Sequence, residues 1–79
     1  MAKAGLNLVG KRVKQARAAA HPSLTQEELS KKLAALGVSI DRAGVAKIET
    51  GIRRVLDYEL VGFADALGVK VTWLLGVRE

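Results

Sequence analysis

Helix punctuation constrains this chain more than any other feature. Residues that start helices and residues that stop them alternate at short intervals along its 79 positions. Thr25, with Glu28 three residues on, forms a capping box in which the hydroxyl can accept from the Glu28 amide while the carboxylate reaches back to the Thr25 amide. Asp41 and Asp57 stand where two further helices need a cap. Gly37, Gly51, Gly68 and Gly76 stand where each helix has to stop, because glycine enters a left-handed turn without a steric penalty.

Between these marks the apolar residues recur at helical spacing. Val9, Val13, Ala16 and Ala20 make one narrow stripe, which predicts a helix over 8–20 with Lys11 and Lys14 on its far side and Arg17 at the stripe's edge. His21-Pro22-Ser23 interrupts the pattern, since proline disfavours helix at the residue before it. Leu29, Leu33 and Leu36 predict a helix over 26–36. After the apolar connector Val38-Ser39-Ile40, Val45 and Ile48 predict another over 42–50. Ala43, Ala46, Lys47 and Thr50 project from its opposite side, with Arg42 in the exposed first turn. Leu60, Phe63, Ala64 and Leu67 line a fourth helix that Asp57 caps, and Thr72 to Leu75 form a last short turn. The expected fold is all-α: a compact five-helix bundle forming a single domain over residues 1–79, its core spanning about 8–76.

Composition removes several function classes. Charged residues recur too often to leave the roughly 20 apolar residues that a bilayer-spanning helix needs, and Met1 to Gln15 lacks the apolar run of a secretory signal. The chain has no cysteine, hence no disulfide or thiolate metal site, which suits a reducing cytoplasm. The lone histidine, His21, precedes a proline without any metal-ligand spacing around it. Glu27 and Glu28, being successive helix residues, point about 100° apart. The eight glycines form no phosphate-binding loop. No catalytic residue, metal or cofactor is expected, and no membrane partner. The charge points elsewhere. Thirteen Lys and Arg against eight Asp and Glu give +5, and Lys3, Lys11, Arg12, Lys14 and Arg17 all precede the first acid, Glu27. A basic domain attracts polyanions.

Helices 26–36 and 42–50, joined by a brief connector through Gly37, have the pattern of a helix-turn-helix. On pattern alone an ordinary αα-hairpin with incidental charge stands about equal.

The residues themselves go further. Thr25-Gln26-Glu27-Glu28-Leu29, then Val45-Ala46-Lys47-Ile48-Glu49-Thr50-Gly51, then Asp57-Tyr58-Glu59-Leu60 through Ala66-Leu67-Gly68-Val69 with Trp73-Leu74-Leu75-Gly76, resemble the lambda-repressor-like, Xre/Cro-type helix-turn-helix family. The resemblance covers roughly residues 9–76, and its specificity lies in the ordered combination. It implies sequence-specific binding of double-stranded DNA by a small transcription regulator, a repressor in the main, acting as a homodimer. Dimerisation would run through residues 69–79, where Val71 to Leu75 form an apolar run.

The resemblance also implies roles. Gln26 matches the glutamine whose side chain and amide approach a phosphate. Arg42, Ala43 and Lys47 match positions that face base edges, while Thr50, Arg53 and Arg54 match the helix end and loop along which phosphates run. Arg17 and Glu49 match a charged pair that bridges the first and third helices. The chain departs from the family in a longer first connection at His21-Pro22-Ser23 and a longer stretch from Ala34 to Ile40, which either extends the second helix or makes an extended loop. Gly44 in mid-helix either admits close approach of DNA or is merely tolerated. The alternative function is a protein-interaction or antitoxin-like module that keeps the scaffold without reading DNA.

Overall fold

The computed structural model describes residues 5–77 and folds into five helices: α1 (Gly10–Ala19), α2 (Gln26–Ala35), α3 (Arg42–Glu49), α4 (Asp57–Leu67) and α5 (Val71–Leu75). There is no strand among the described residues. Each helix sends apolar side chains into one shared core: Val13 from α1, Leu29 and Leu33 from α2, Val45 and Ile48 from α3, Phe63 from α4 and Leu74 from α5 are all fully buried, whereas Leu36, expected to continue the α2 stripe, stands past the end of that helix and is exposed. Trp73 packs against this core from its edge, as a partly buried residue.

The helix ends follow the punctuation. The Thr25 box is present in full, with the Glu28 amide 3.0 Å from Thr25 Oγ1 and the Thr25 amide 2.8 Å from Glu28 Oε1. Asp41 Oδ1 accepts from the Gly44 amide at 2.8 Å and so starts α3. Past the end of α3, Gly51 adopts φ +81°. The Gly51 amide then reaches Ile48 O, and that of Ile52 reaches Lys47 O, which satisfies the last carbonyls. Asp57 departs from expectation. It is the first helical residue rather than the cap; the cap position is Leu56, whose own amide donates to Glu59 Oε1 at 2.9 Å. Asp57 still serves the helix start from inside it, its Oδ1 accepting from the Tyr58 amide at 2.6 Å.

The long stretch after Ala34 becomes an extended connector rather than an extra helical turn. α2 closes at Gly37 with φ +83° and a bond from the Val38 amide to Leu33 O. Residues 38–40 then run with Val38 and Ile40 buried and Ser39 exposed between them. Ser30 Oγ on α2 donates to Ile40 O at 2.6 Å, tying the connector down. Val38 rests on α4 over Gly62, where any Cβ would come within 2.7 Å of Val38 Cγ2. Gly44 has the same explanation, since a Cβ there would lie 2.8 Å from Ile40 Cγ2 and 3.1 Å from Asp41 Oδ1. Its small size serves the packing of the connector.

α1 crosses the end of α3 at Gly10. A methyl group at that position would collide with the carbonyl oxygen of Ile48 and lie 3.1 Å from that of Glu49, both of them backbone atoms. Elsewhere along its length α1 holds α5 through Arg12, whose Nη1 donates to Trp73 O at 3.0 Å while the guanidinium sits 5.1 Å from the indole centroid. A cation on the last carbonyls of a helix also suits that helix's dipole. Gly10→Ala is expected to destabilise the fold by about 1–3 kcal/mol through overpacking, despite the better helix propensity of alanine. A urea midpoint equal to or above that of the parent chain would contradict this crossing geometry.

Candidate nucleic-acid interface

α3 has two distinct sides. Val45 and Ile48 are fully buried, whereas Arg42, Ala43 and Lys47 are exposed, as is Thr50 at the helix end. Ala43, Lys47 and Thr50 follow one another at helical spacing along the outer side, with Arg42 and half-buried Ala46 alongside. The sequence-predicted base-facing residues therefore share one solvent-exposed surface. It is sparse: two cationic side chains, two methyl groups and one hydroxyl. That hydroxyl is already engaged, with Thr50 Oγ1 donating to Ala46 O at 3.1 Å and to Lys47 O at 3.2 Å.

Behind this surface lies a buried polar cluster. The Glu49 side chain, only 2% exposed, receives Arg17 Nε at 2.7 Å on Oε2 and Arg17 Nη2 at 3.0 Å on Oε1. Arg17 Nη1 donates to Leu24 O at 2.8 Å, in the connection between α1 and α2. Gln26 Nε2, at the start of α2, also donates to Glu49 Oε1, at 3.0 Å. Its hydrogen bond to Glu49 holds the Arg17 guanidinium further into its basic range, although burial works against this. Gln26 thus has one amide hydrogen committed to Glu49, leaving its second hydrogen and its backbone amide at the helix start.

The two loop arginines differ in kind. Arg54 is exposed. Arg53 is half-buried, with Nη1 3.0 Å from Glu59 Oε1, Nη2 3.1 Å from Glu59 Oε2, and Nη1 also 2.9 Å from Arg54 O. This two-pronged pair joins the loop after α3 to the first turn of α4. The hydrogen bond from Arg53 lowers the Glu59 carboxyl below its usual range; burial opposes the shift, and the Leu56 amide assists it. The resemblance sets Arg53 beside Arg54 along the phosphates; in the structure Glu59 already engages both terminal nitrogens of Arg53. In the sequence Glu59 is only part of a motif, and no local signal pairs it with Arg53 across the loop.

Asn7 escapes sequence reasoning too. Lying just before the predicted start of α1, it caps that helix by accepting from the Val9 and Gly10 amides, and it reaches the end of α3 and the following loop as well. Asparagine ahead of a helix is the available signal for the cap, but nothing local marks the far partners.

Arg17→Ala would leave the Glu49 carboxyl buried and short of its cation. The expected cost is about 3–5 kcal/mol in chemical denaturation, much of a small domain's stability. A reduction below 1 kcal/mol would mean that the cluster holds little. Glu59 predicts a pH dependence. Because its folded carboxyl is depressed, its stabilising contribution is present above the unfolded value of about 4.3 and is lost as pH falls through the folded value. Glu59→Gln should therefore flatten the decline in urea midpoint below about pH 4.5, relative to the parent chain. Parallel acid-side curves would refute this assignment.

A family model described as Helix-turn-helix matches residues 13–74, spanning all of α2 to α4 and most of α1 and α5. Neither the curated proteins nor the solved structures gave a match. Among the described residues no helix is long and apolar enough to cross a membrane. An exposed α3 braced across α1 and α2, together with that match over most of its length, makes this chain a member of the lambda-repressor-like, Xre-type helix-turn-helix family of DNA-binding transcription regulators.

Proposed function

We propose that the chain binds duplex DNA sequence-specifically as a small transcription repressor, with α3 laid in a major groove about 12 Å wide and α2 crossing the phosphate backbone. The supporting observation is the exposure of Arg42 and Lys47 on a helix whose opposite side is fully buried and whose end is fixed by Glu49. Arg42 and Lys47 donate to guanine O6 and N7, and Ala43 meets a thymine methyl. With so few polar groups on that surface, local DNA shape supplies part of the discrimination. Gln26 addresses a phosphate with its remaining donors where α2 begins, and Arg54 addresses one from the loop. Thr50 does so only by giving up a backbone bond. Arg53, neutralised by Glu59, contributes less to phosphate binding than Arg54.

Action as a homodimer fits the exposed apolar side chains of Leu6 and Leu8, which line one cleft together with Leu75. The run Val71 to Leu75 is largely spent on the chain's own core, with Leu74 fully buried. Residues 78 and 79 of the expected dimer segment lie outside the described residues.

Selection from random duplexes should enrich a site built of two half-sites about 10 bp apart, one helical turn. On that site Lys47→Ala should lose about 1–3 kcal/mol of discrimination while retaining most of its affinity for random duplex. Equal losses on both would remove Lys47 from base reading. No enriched sequence at all would favour the interaction-module alternative.

A further inference from the structure

Asn7 uses every hydrogen-bonding capacity of its side chain. Oδ1 accepts from the amides of Val9 at 3.0 Å and Gly10 at 2.8 Å, while Nδ2 donates to Ile48 O at 3.1 Å and Arg53 O at 2.8 Å. The two backbone amides facing one end and the two carbonyls facing the other decide which end is oxygen. A single residue thus joins the start of α1, the end of α3 and the loop that carries Arg53 and Arg54. The same segment supplies a further bond, from the Leu6 amide to Gly51 O at 2.8 Å, and Gly10 allows the backbones to approach closely enough for all of them.

The loop is fastened at a second point. Arg53 presents its carbonyl to Asn7 and its guanidinium to Glu59, and the same guanidinium also holds Arg54 O. The backbone of both arginines is therefore held by side chains, and Arg54 alone of the two keeps its own guanidinium away from an acidic partner. Asn7 and the Arg53–Glu59 pair lie on the inner side of this arrangement. Arg54 is the exposed cation at its tip.

We infer that Asn7 is a positioning residue for DNA binding: by holding the Arg53 carbonyl it sets the loop so that Arg54 meets a phosphate, while Asn7 itself touches no DNA. The inference rests on the DNA-binding function proposed above. It assigns to an uncharged side chain in the segment before α1 a share in the electrostatic part of duplex binding, and it casts Arg53 as a support for Arg54.

Salt dependence separates this role from a purely structural one. Removing one cation–phosphate interaction lowers the slope of log affinity against log salt by about one. The probe is a random-sequence duplex, because phosphate binding does not depend on sequence. Arg54→Ala should lower the slope by about one unit and weaken binding about tenfold at low salt, as expected for one charge-assisted hydrogen bond. Asn7→Ser keeps a neutral helix-capping residue but is too short to span to both carbonyls. It should lower the slope by the same amount without any change of charge, and the double variant should show no further drop. All are compared where circular dichroism shows each variant folded. An unchanged slope in folded Asn7→Ser, or effects that add in the double variant, would overturn the positioning role while leaving DNA binding intact. Asn7→Thr repeats the comparison with a second neutral cap residue. Unfolding of both would also overturn it, since Asn7 would then serve the whole fold. Absence of any duplex binding by the parent chain would defeat the DNA-binding proposal and this inference together.

Discussion

Glu49 is the group on which the arrangement of the first three helices depends. It is the last residue of α3, where the helix dipole is negative and a carboxylate is disfavoured, and it is buried as well. Such a group persists only with a cation and enough hydrogen-bond donors. Arg17 supplies two of those donors from the last turn of α1, and Gln26 supplies another from the first turn of α2. A locally unfavourable residue thus becomes the point at which three helices meet, its carboxylate held by donors from α1 and α2.

Among the described arginines and the cations of α3, some are bonded within the fold and others are not, so the total number of cations says little about how many are available to a partner. Arg17 and Arg53 are paired with buried carboxylates, and Arg12 is spent on the indole and carbonyl of Trp73. Arg42, Lys47 and Arg54 are exposed. The division follows from the neighbours each one finds. Arginine's planar fork suits the bonded sites, since Arg17 and Arg53 each engage both oxygens of a carboxylate and a backbone carbonyl besides. The net charge of +5 points to a polyanion as partner; it does not say which cations would meet it.

What is legible in the sequence is whatever is encoded within one or two helical turns. The capping box at Thr25, the cap at Asp41, the left-handed stops at Gly37, Gly51 and Gly68, and the inward stripes through Val13, Leu29, Leu33, Ile48 and Phe63 all reappear in the fold. The exposed positions of α3 follow from the same periodicity. What escapes depends on residues far apart in the chain. Asn7 meets partners 41 and 46 residues away, and Gly10 is required by carbonyls on a different helix. The Arg53–Glu59 pair spans only six residues, yet the intervening loop has no fixed period from which to infer the pairing. The long connector leaves two outcomes open because Val38 and Ile40 fit an added helical turn or a buried extended segment equally well. The packing of Val38 over Gly62 and of Ile40 against Gly44 selects the second. Asp57 is not the cap because the helix begins one residue earlier than its position suggests, with Leu56 at the cap and the Asp57 carboxylate accepting from the Tyr58 amide inside the first turn.

The anchoring of that connector has an evolutionary consequence. Its inward residues are fixed by α2, α4 and the start of α3, while the outer positions of α3 take no part in holding anything in place, Thr50 excepted. Arg42, Ala43 and Lys47, the residues proposed to face bases, can therefore be exchanged with little penalty to folding and without compensating changes in the interior. The chain behaves as a fixed chassis carrying a replaceable outer edge.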